Sequence, residues 1–338
     1  MPEYAAALAH FKAGNIYSMG NYQNTPGVSG GDIIPVKKEE PRRLIYQSDF
    51  SGLGARRSFG WLPAGKSPFL DERVRQAVSM SWDRALFVDT FYEASKFSSQ
   101  GLPVEARWNT ALIGSQEGWW LNPEGKDFGP NAKYFKHDPA EAKKLLTAAG
   151  FGTGLEVNSH YVTGTELGNL PKMAAVLDEM TADIGITSKV RSIDYQKEYI
   201  PVYRDGRGQW DGWAYKTNQG AGPSGNDAIG LLAGEYWSKG GAAFFGFSQT
   251  GQNDQSGDPE IDSLIEKGRI ERDTEKRRLL VFDIQRKLAK AWYAQPLPAV
   301  ATGFVAAWPC LGNFRVFQTQ RANYRLWVDD AKAPLAKT

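Results

Sequence analysis

The chain is short of the residues on which most catalytic and metal chemistry is built. One cysteine, Cys310, stands among 338 residues. No intramolecular disulfide can form, and the redox compartment stays open, because larger secreted domains need no such staple. Histidine occurs three times, at His10, His137 and His160, and no two share the close spacing of a zinc motif. Neither charge sign dominates. The 40 basic and 38 acidic side chains leave a net charge of +2, which supplies no broad field for nucleic acid or an anionic bilayer. No apolar run approaches the roughly 20 residues of a membrane span. Residues 1–14 (MPEYAAALAHFKAG) lack the basic-then-apolar layout of an export signal. They read as a short amphipathic helix closed by Gly14.

Catalytic motifs are equally scarce. There is no phosphate-cradling G-x-x-x-x-G-K-[ST], and Gly150, Gly152 and Gly154 have the wrong spacing for a dinucleotide fingerprint and precede a strand. Gly27-Val28-Ser29-Gly30-Gly31 formally matches G-x-S-x-G, but no apolar strand before it or helix after it is legible, so a flexible loop is expected. Asp254, Asp258, Glu260 and Asp262 miss the glycine and glutamate positions of a calcium loop. A helix cap with acidic residues in its first turn accounts for them. No catalytic residue, metal ligand or cofactor is assigned.

Periodicity gives alternating helices and strands, the α/β grammar. Residues 15–68 read as irregular apart from short strands at Leu44–Gln47 and Ser58–Leu62, and residues 93–134 as a long loop. One helix is expected over Asp71–Tyr92, with Val74, Ala77, Val78 and Leu86 on its apolar face. Asp138-Pro139-Ala140-Glu141 is a capping box for a helix ending at Gly150. A strand near Leu155–Val162, a helix over Pro171–Ile184 and a strand at Ile186–Val190 follow. After a Gly-rich, aromatic stretch at 205–257, Asp258 and Asp273 cap two more helices before a strand at Pro296–Phe304. Aromatics are plentiful, with 11 Trp, 14 Tyr and 17 Phe, a supply that serves either cores or ligand clefts.

Several collinear segments resemble one family. Ser67-Pro-Phe-Leu-Asp-Glu-Arg-Val-Arg-Gln-Ala-Val78, followed by Trp82-Asp83-Arg84, resembles the signature of the family 5 extracellular solute-binding proteins, the peptide/nickel-binding class. Tyr134–Leu146 with Ala149-Gly150-Phe151, Met180–Ile186, Asp258–Leu264 and Arg272–Gln285 are similar to later blocks of that family, in the same order. Arg73 and Arg75 cannot both share the face of Val74 and Val78, so the signature is read as architectural.

The resemblance implies an α/β, two-lobe periplasmic-binding-protein-like fold (class II), with lobe II nearly complete and only remnants of lobe I. The expected division is 1–56 as the end of lobe I and hinge approach, 57–303 as lobe II, and 304–338 as the return into lobe I. The implied function is that of an ABC-transporter substrate-binding component. It captures a small polar solute (oligopeptide, sugar or opine-like) between the lobes for import, without catalysis, and hands it to permease subunits. A periplasmic or cell-surface lipoprotein is implied, monomeric when full length and without nucleic-acid partners; its export signal is expected upstream of what reads as an N-terminally truncated chain. Ligand-cleft candidates are Arg57, Phe59 and Trp61 at the first crossing, and Trp213, Tyr215 and Asn218 in the Gly-rich loop. Family members that bind peptides often carry an Asp in an A-D-Y stretch; Trp213-Ala-Tyr-Lys216 has none. The rival reading is a secreted carbohydrate-active hydrolase.

Overall fold

The helix starts form where the sequence puts a carboxylate ahead of the first turn. Asp71, Asp138, Asp258 and Asp273 each accept a backbone N–H at 2.9 Å, from Arg73, Glu141, Glu260 and Lys276 respectively. Such caps contribute about 1 kcal/mol apiece. Pro139 and Pro259 occupy the first helical position, where the missing N–H costs nothing. The computed structural model describes residues 4–19, 28–51, 54–164, 166–217, 227–250, 254–314 and 326–336. Among these no helix is long and apolar enough to cross a membrane.

The chain divides into two units. One gathers Met1–Ser51, Val88–Ala106 and Ala301–Thr338; the other gathers Gly52–Phe87 and Arg107–Val300. Val88–Ala106, which falls inside the stretch 57–303 expected as lobe II, groups with the two terminal segments.

In the first unit, residues 301–307 run antiparallel to Leu44–Ser51 and Ser18–Met19, with Val305 opposite Tyr46 and Ala306 opposite Met19. Its core holds Phe11, Ile33, Val36, Phe97, Trp308 and the lone Cys310. Arg43 threads that core, donating to the carbonyls of Val36 and Lys12 at 2.8 and 2.9 Å, with its guanidinium 4.7 Å from the Trp308 ring. A helix over Gly30–Glu39, with Ser29 at its N-cap, replaces the loop expected around G-x-S-x-G. The Ser29 and Tyr4 hydroxyls both donate to Asp32, at 2.6 and 2.5 Å, so the serine is spent on local structure.

The second unit is built on a five-stranded sheet in the order Ile186–Ser192, Leu155–Tyr161, Trp213–Thr217, Ala55–Phe59, Ala294–Pro296. Leu155–Tyr161 pairs in parallel with both neighbours. The helix Leu170–Ala182 supplies the crossover that a parallel pair requires. Ala55–Phe59 is antiparallel to both of its neighbours. The strand expected at Ser58–Leu62 thus starts three residues earlier, and the Gly-rich 205–257 stretch contains a strand and a helix, Ala228–Tyr236.

The single helix expected over 71–92 is two, Glu72–Ser81 and Arg84–Tyr92, broken at Trp82 in extended geometry. Buried Arg84 holds the break, donating to the Phe135 carbonyl at 2.6 Å and the Ser79 hydroxyl at 3.0 Å. Burial, only partly opposed by the neighbouring Asp83 carboxylate, pushes its pKa down to about 9. Asp83 restarts the helix by accepting from the Leu86 N–H. Leu86, placed on the apolar face by periodicity, is 53% exposed, because the break resets the helical phase. The 93–134 loop likewise holds a short helix, Ala94–Ser98, and a strand, Ala106–Trp108.

The signature segment divides its two arginines between two helix ends. Arg75 is buried and donates to the carbonyls of Ala291 (2.6 Å) and Phe69 (2.5 Å), and its neighbour Gln76 donates to Lys290 O at 2.8 Å. Together they close the C-terminus of the Thr274–Ala291 helix, where cationic donors meet the free carbonyls and the negative end of the dipole. Arg73 does the same on the outside, donating to Ala148 O at 2.7 Å.

Candidate functional site

Strand alternation puts Arg57 and Phe59 on one face of the sheet, and register sets them opposite Tyr215 and Trp213. Four of the sequence candidates therefore form one cluster, and Trp61 continues it beyond the strand. Asn218 lies outside the described residues.

All five described candidates are buried inside the second unit, and Arg57 is wholly so. Its fork is fully engaged. Nη2 donates to Asp178 Oδ1 at 2.8 Å, Nη1 to the Thr181 hydroxyl at 2.9 Å and Nε to the Tyr215 hydroxyl at 3.0 Å. The Tyr215 hydroxyl in turn donates to the same Asp178 oxygen at 2.9 Å. The guanidinium lies 4.2 Å from the Trp213 ring and 4.7 Å from that of Trp82. Phe59 stacks on Phe69 at 4.6 Å. Trp61 donates its indole N–H to Phe245 O at 2.7 Å, over Gly208, where an added Cβ would strike the ring at 2.2 Å. Desolvation pushes the Tyr215 phenol well above its ordinary value. In this arrangement the Arg57 side chain orders the unit from within, and its donors already hold acceptors.

The opposite face of the same two strands carries a second buried ionic group. Arg56 pairs with Glu235 at 2.8 Å and stands in register with Lys216. Lys216 donates to Arg204 O at 3.2 Å and sits 4.6 Å from the Phe245 ring. Burial lowers its pKa to about 8. Farther along, buried His160 bridges the Tyr203 hydroxyl and the Asp211 carbonyl, both at 3.0 Å, and desolvation lowers its pKa.

Sequence reasoning did not pick out Asp178, Thr181, Trp82, Arg56 or Glu235. Asp178 carried a signal: it interrupts the apolar face of Met173, Leu177 and Met180, and a carboxylate there needs a buried cation. Among the described residues no group of three or more His, Cys, Asp or Glu is placed to hold a metal.

Comparison with known proteins assigns the chain to a family. It is 24% identical over 280 residues to the uncharacterized protein y4wM of Sinorhizobium fredii, covering 73% of this chain and 39% of that protein. It is 26% identical over 192 residues to di/tripeptide-binding protein 1 of Pseudomonas aeruginosa, covering 55% and 31%. Among solved structures it is similar to the unliganded open form of MppA, a periplasmic murein tripeptide-binding protein. That match has a TM-score of 0.65 at 20% identity and covers 93% of this chain and 53% of that one. The last likeness shows the α/β fold of the two-lobe periplasmic binding proteins. The chain thus spans well under two thirds of the length of each of these relatives. The sequence profile described as "Bacterial extracellular solute-binding proteins, family 5 Middle" matches residues 1–232. Members of this family are binding proteins rather than enzymes, which leaves the hydrolase reading without support. The chain belongs to the bacterial extracellular solute-binding proteins, family 5.

Proposed function

We propose that this chain is part of the substrate-binding component of an ABC importer. It works outside the cytoplasmic membrane, in the periplasm or as a cell-surface lipoprotein, and delivers a small polar solute to permease subunits. The observation that carries this reading is the family match over residues 1–232. On this reading the unit of Gly52–Phe87 and Arg107–Val300 corresponds to lobe II, and the other unit to part of lobe I.

The solute class follows from what the Trp213–Thr217 strand offers. Where peptide binders of the family hold an Asp, this chain has Ala214, fully buried, and the nearby charge is the cationic Lys216. That balance favours a neutral or anionic solute, such as a sugar, an opine-like conjugate or a peptide gripped by its carboxylate, over one held by its ammonium group. Arg57, Phe59, Trp61, Trp213 and Tyr215 are assigned the framing of the binding region, because their side chains are packed in the unit's interior. Uptake of labelled sugars, opine-like conjugates and short peptides by a strain lacking the gene tests the transport role. Loss of uptake of one class, restored by the wild-type gene, is expected; unchanged uptake of every class would contradict it.

A further inference from the structure

An open pocket of about 390 Å³ lies beside the helix Ala228–Tyr236, facing Arg269 and Arg277 of the two helices that follow. Every residue around it belongs to the second unit, and none is among the six sequence candidates. The two guanidinium groups are in different states. Arg277 Nη2 donates to Asp227 at 2.7 Å, while its buried Nε has no partner. Arg269 lies 4.3 Å from the Trp237 ring, and among the described residues its fork has no hydrogen-bond acceptor. Trp237 itself is fixed by donating to Glu266 at 3.2 Å. A guanidinium resting on an indole is held in place with its edge donors still available.

The wall between these groups is kept open by Gly234. An added Cβ there meets nothing within 4 Å, so no crowding explains a glycine in mid-helix, where alanine is the more stable choice. Ile229 and Ala233 give the wall an apolar surface. Two guanidinium groups line the pocket against one carboxylate, and the nearby Glu266 is paired with Lys239 at 2.8 Å, so a single positive charge is left over.

We propose that this pocket binds a small monocarboxylate. Its carboxylate is held by the free edge of Arg269, beside the Arg277 guanidinium, and its apolar body lies on Ala233 and Trp237. A guanidinium edge matches a carboxylate bidentately. Asp227 on the same wall repels a doubly charged phosphate, and the single unmatched positive charge suits one negative charge. The site is independent of the transport reading, since it draws on one unit and on no residue assigned to the solute.

Fluorine NMR titration of the chain with a fluorobenzoate tests this directly, with the matching fluorobenzamide as the neutral isostere. Saturable binding of the benzoate is expected, with the amide about tenfold weaker, as for the loss of one charge-assisted hydrogen bond. Arg269→Gln weakens benzoate binding by about the same factor. Gly234→Leu abolishes it by filling the pocket, without lowering the thermal midpoint, and millimolar inorganic phosphate does not displace the benzoate. No saturable binding, equal binding to both variants, or displacement by phosphate would overturn the proposal.

Discussion

Arg57 and Asp178 meet inside the second unit at 2.8 Å, 121 residues apart in sequence, with the Tyr215 hydroxyl bonded to both. The guanidinium is wholly buried and the carboxylate nearly so, and Asp178 Oδ2 has no protein partner. A pair of this kind contributes little net energy when intact, yet its one-sided removal strands a charge in the interior. Asp178→Ala is therefore expected to lower the free energy of unfolding by about 3–5 kcal/mol. The double change Arg57→Met with Asp178→Leu should cost less than Asp178→Ala alone. Urea denaturation of the variants measures both, and a double variant weaker than the single one would refute the coupling.

The two arginines of the signature segment should differ sharply in worth. Arg75 is buried and donates to three carbonyls, so Arg75→Ala is expected to cost about 3 kcal/mol or more. Arg75→Lys should not restore the loss, because an ammonium cannot span the positions of a planar fork. Arg73 is exposed and paired with Asp71, and Arg73→Ala should cost under about 1 kcal/mol. Equal losses at the two positions would contradict the architectural reading.

Lys216 makes stability depend on alkaline pH in a defined sense. Its folded-state pKa, about 8, is lowered by burial from 10.5. Between those values the unfolded chain binds more protons than the folded one, so this group's contribution to stability rises with pH. Below pH 8 both states carry the proton and the penalty of burying the charge is fully present. Lys216→Met removes that penalty, so its stability advantage over the wild type should be largest near neutral pH. The advantage should shrink by up to about 3 kcal/mol toward pH 10.5. An advantage that does not change with pH would show that Lys216 keeps its proton throughout.

Gly208 tests the packing over Trp61. Its φ of +68° lies in the left-handed region, and a Cβ would sit 2.2 Å from the indole. Gly208→Ala combines an unfavourable conformation with a clash, and a loss of at least about 1–2 kcal/mol is expected. A neutral effect on the thermal midpoint would mean that Trp61 moves freely.

Local features were legible in the sequence and remote ones were not. Asp71, Asp138, Asp258 and Asp273 act within three residues of themselves, so each cap could be read from its own neighbourhood. The helix break at Trp82 was hidden because apolar spacing continues through Val78 to Leu86, while Arg84, the residue holding the break, finds its acceptor at Phe135. The grouping of Val88–Ala106 with the terminal segments rests on contacts such as those of Phe97 in the first core, which no local pattern records. The candidate cluster was found for a partial reason. Trp213 and Tyr215 do share a face with Arg57 and Phe59, but aromatic content alone does not tell a cleft wall from a core, and the partnership of Arg57 with Asp178, 121 residues away, left no local pattern.

The central claim, capture of a small neutral or anionic solute without turnover, is tested most directly by calorimetric titration of the complete gene product. The ligand panel should include sugars, opine-like conjugates, and peptides with free and amidated C-termini, with each mixture analysed afterwards for products. Saturable one-to-one binding of a neutral or anionic member, with the ligand recovered unchanged, is the predicted result. Reproducible conversion of any ligand, or tight binding confined to cationic peptides, would contradict the account.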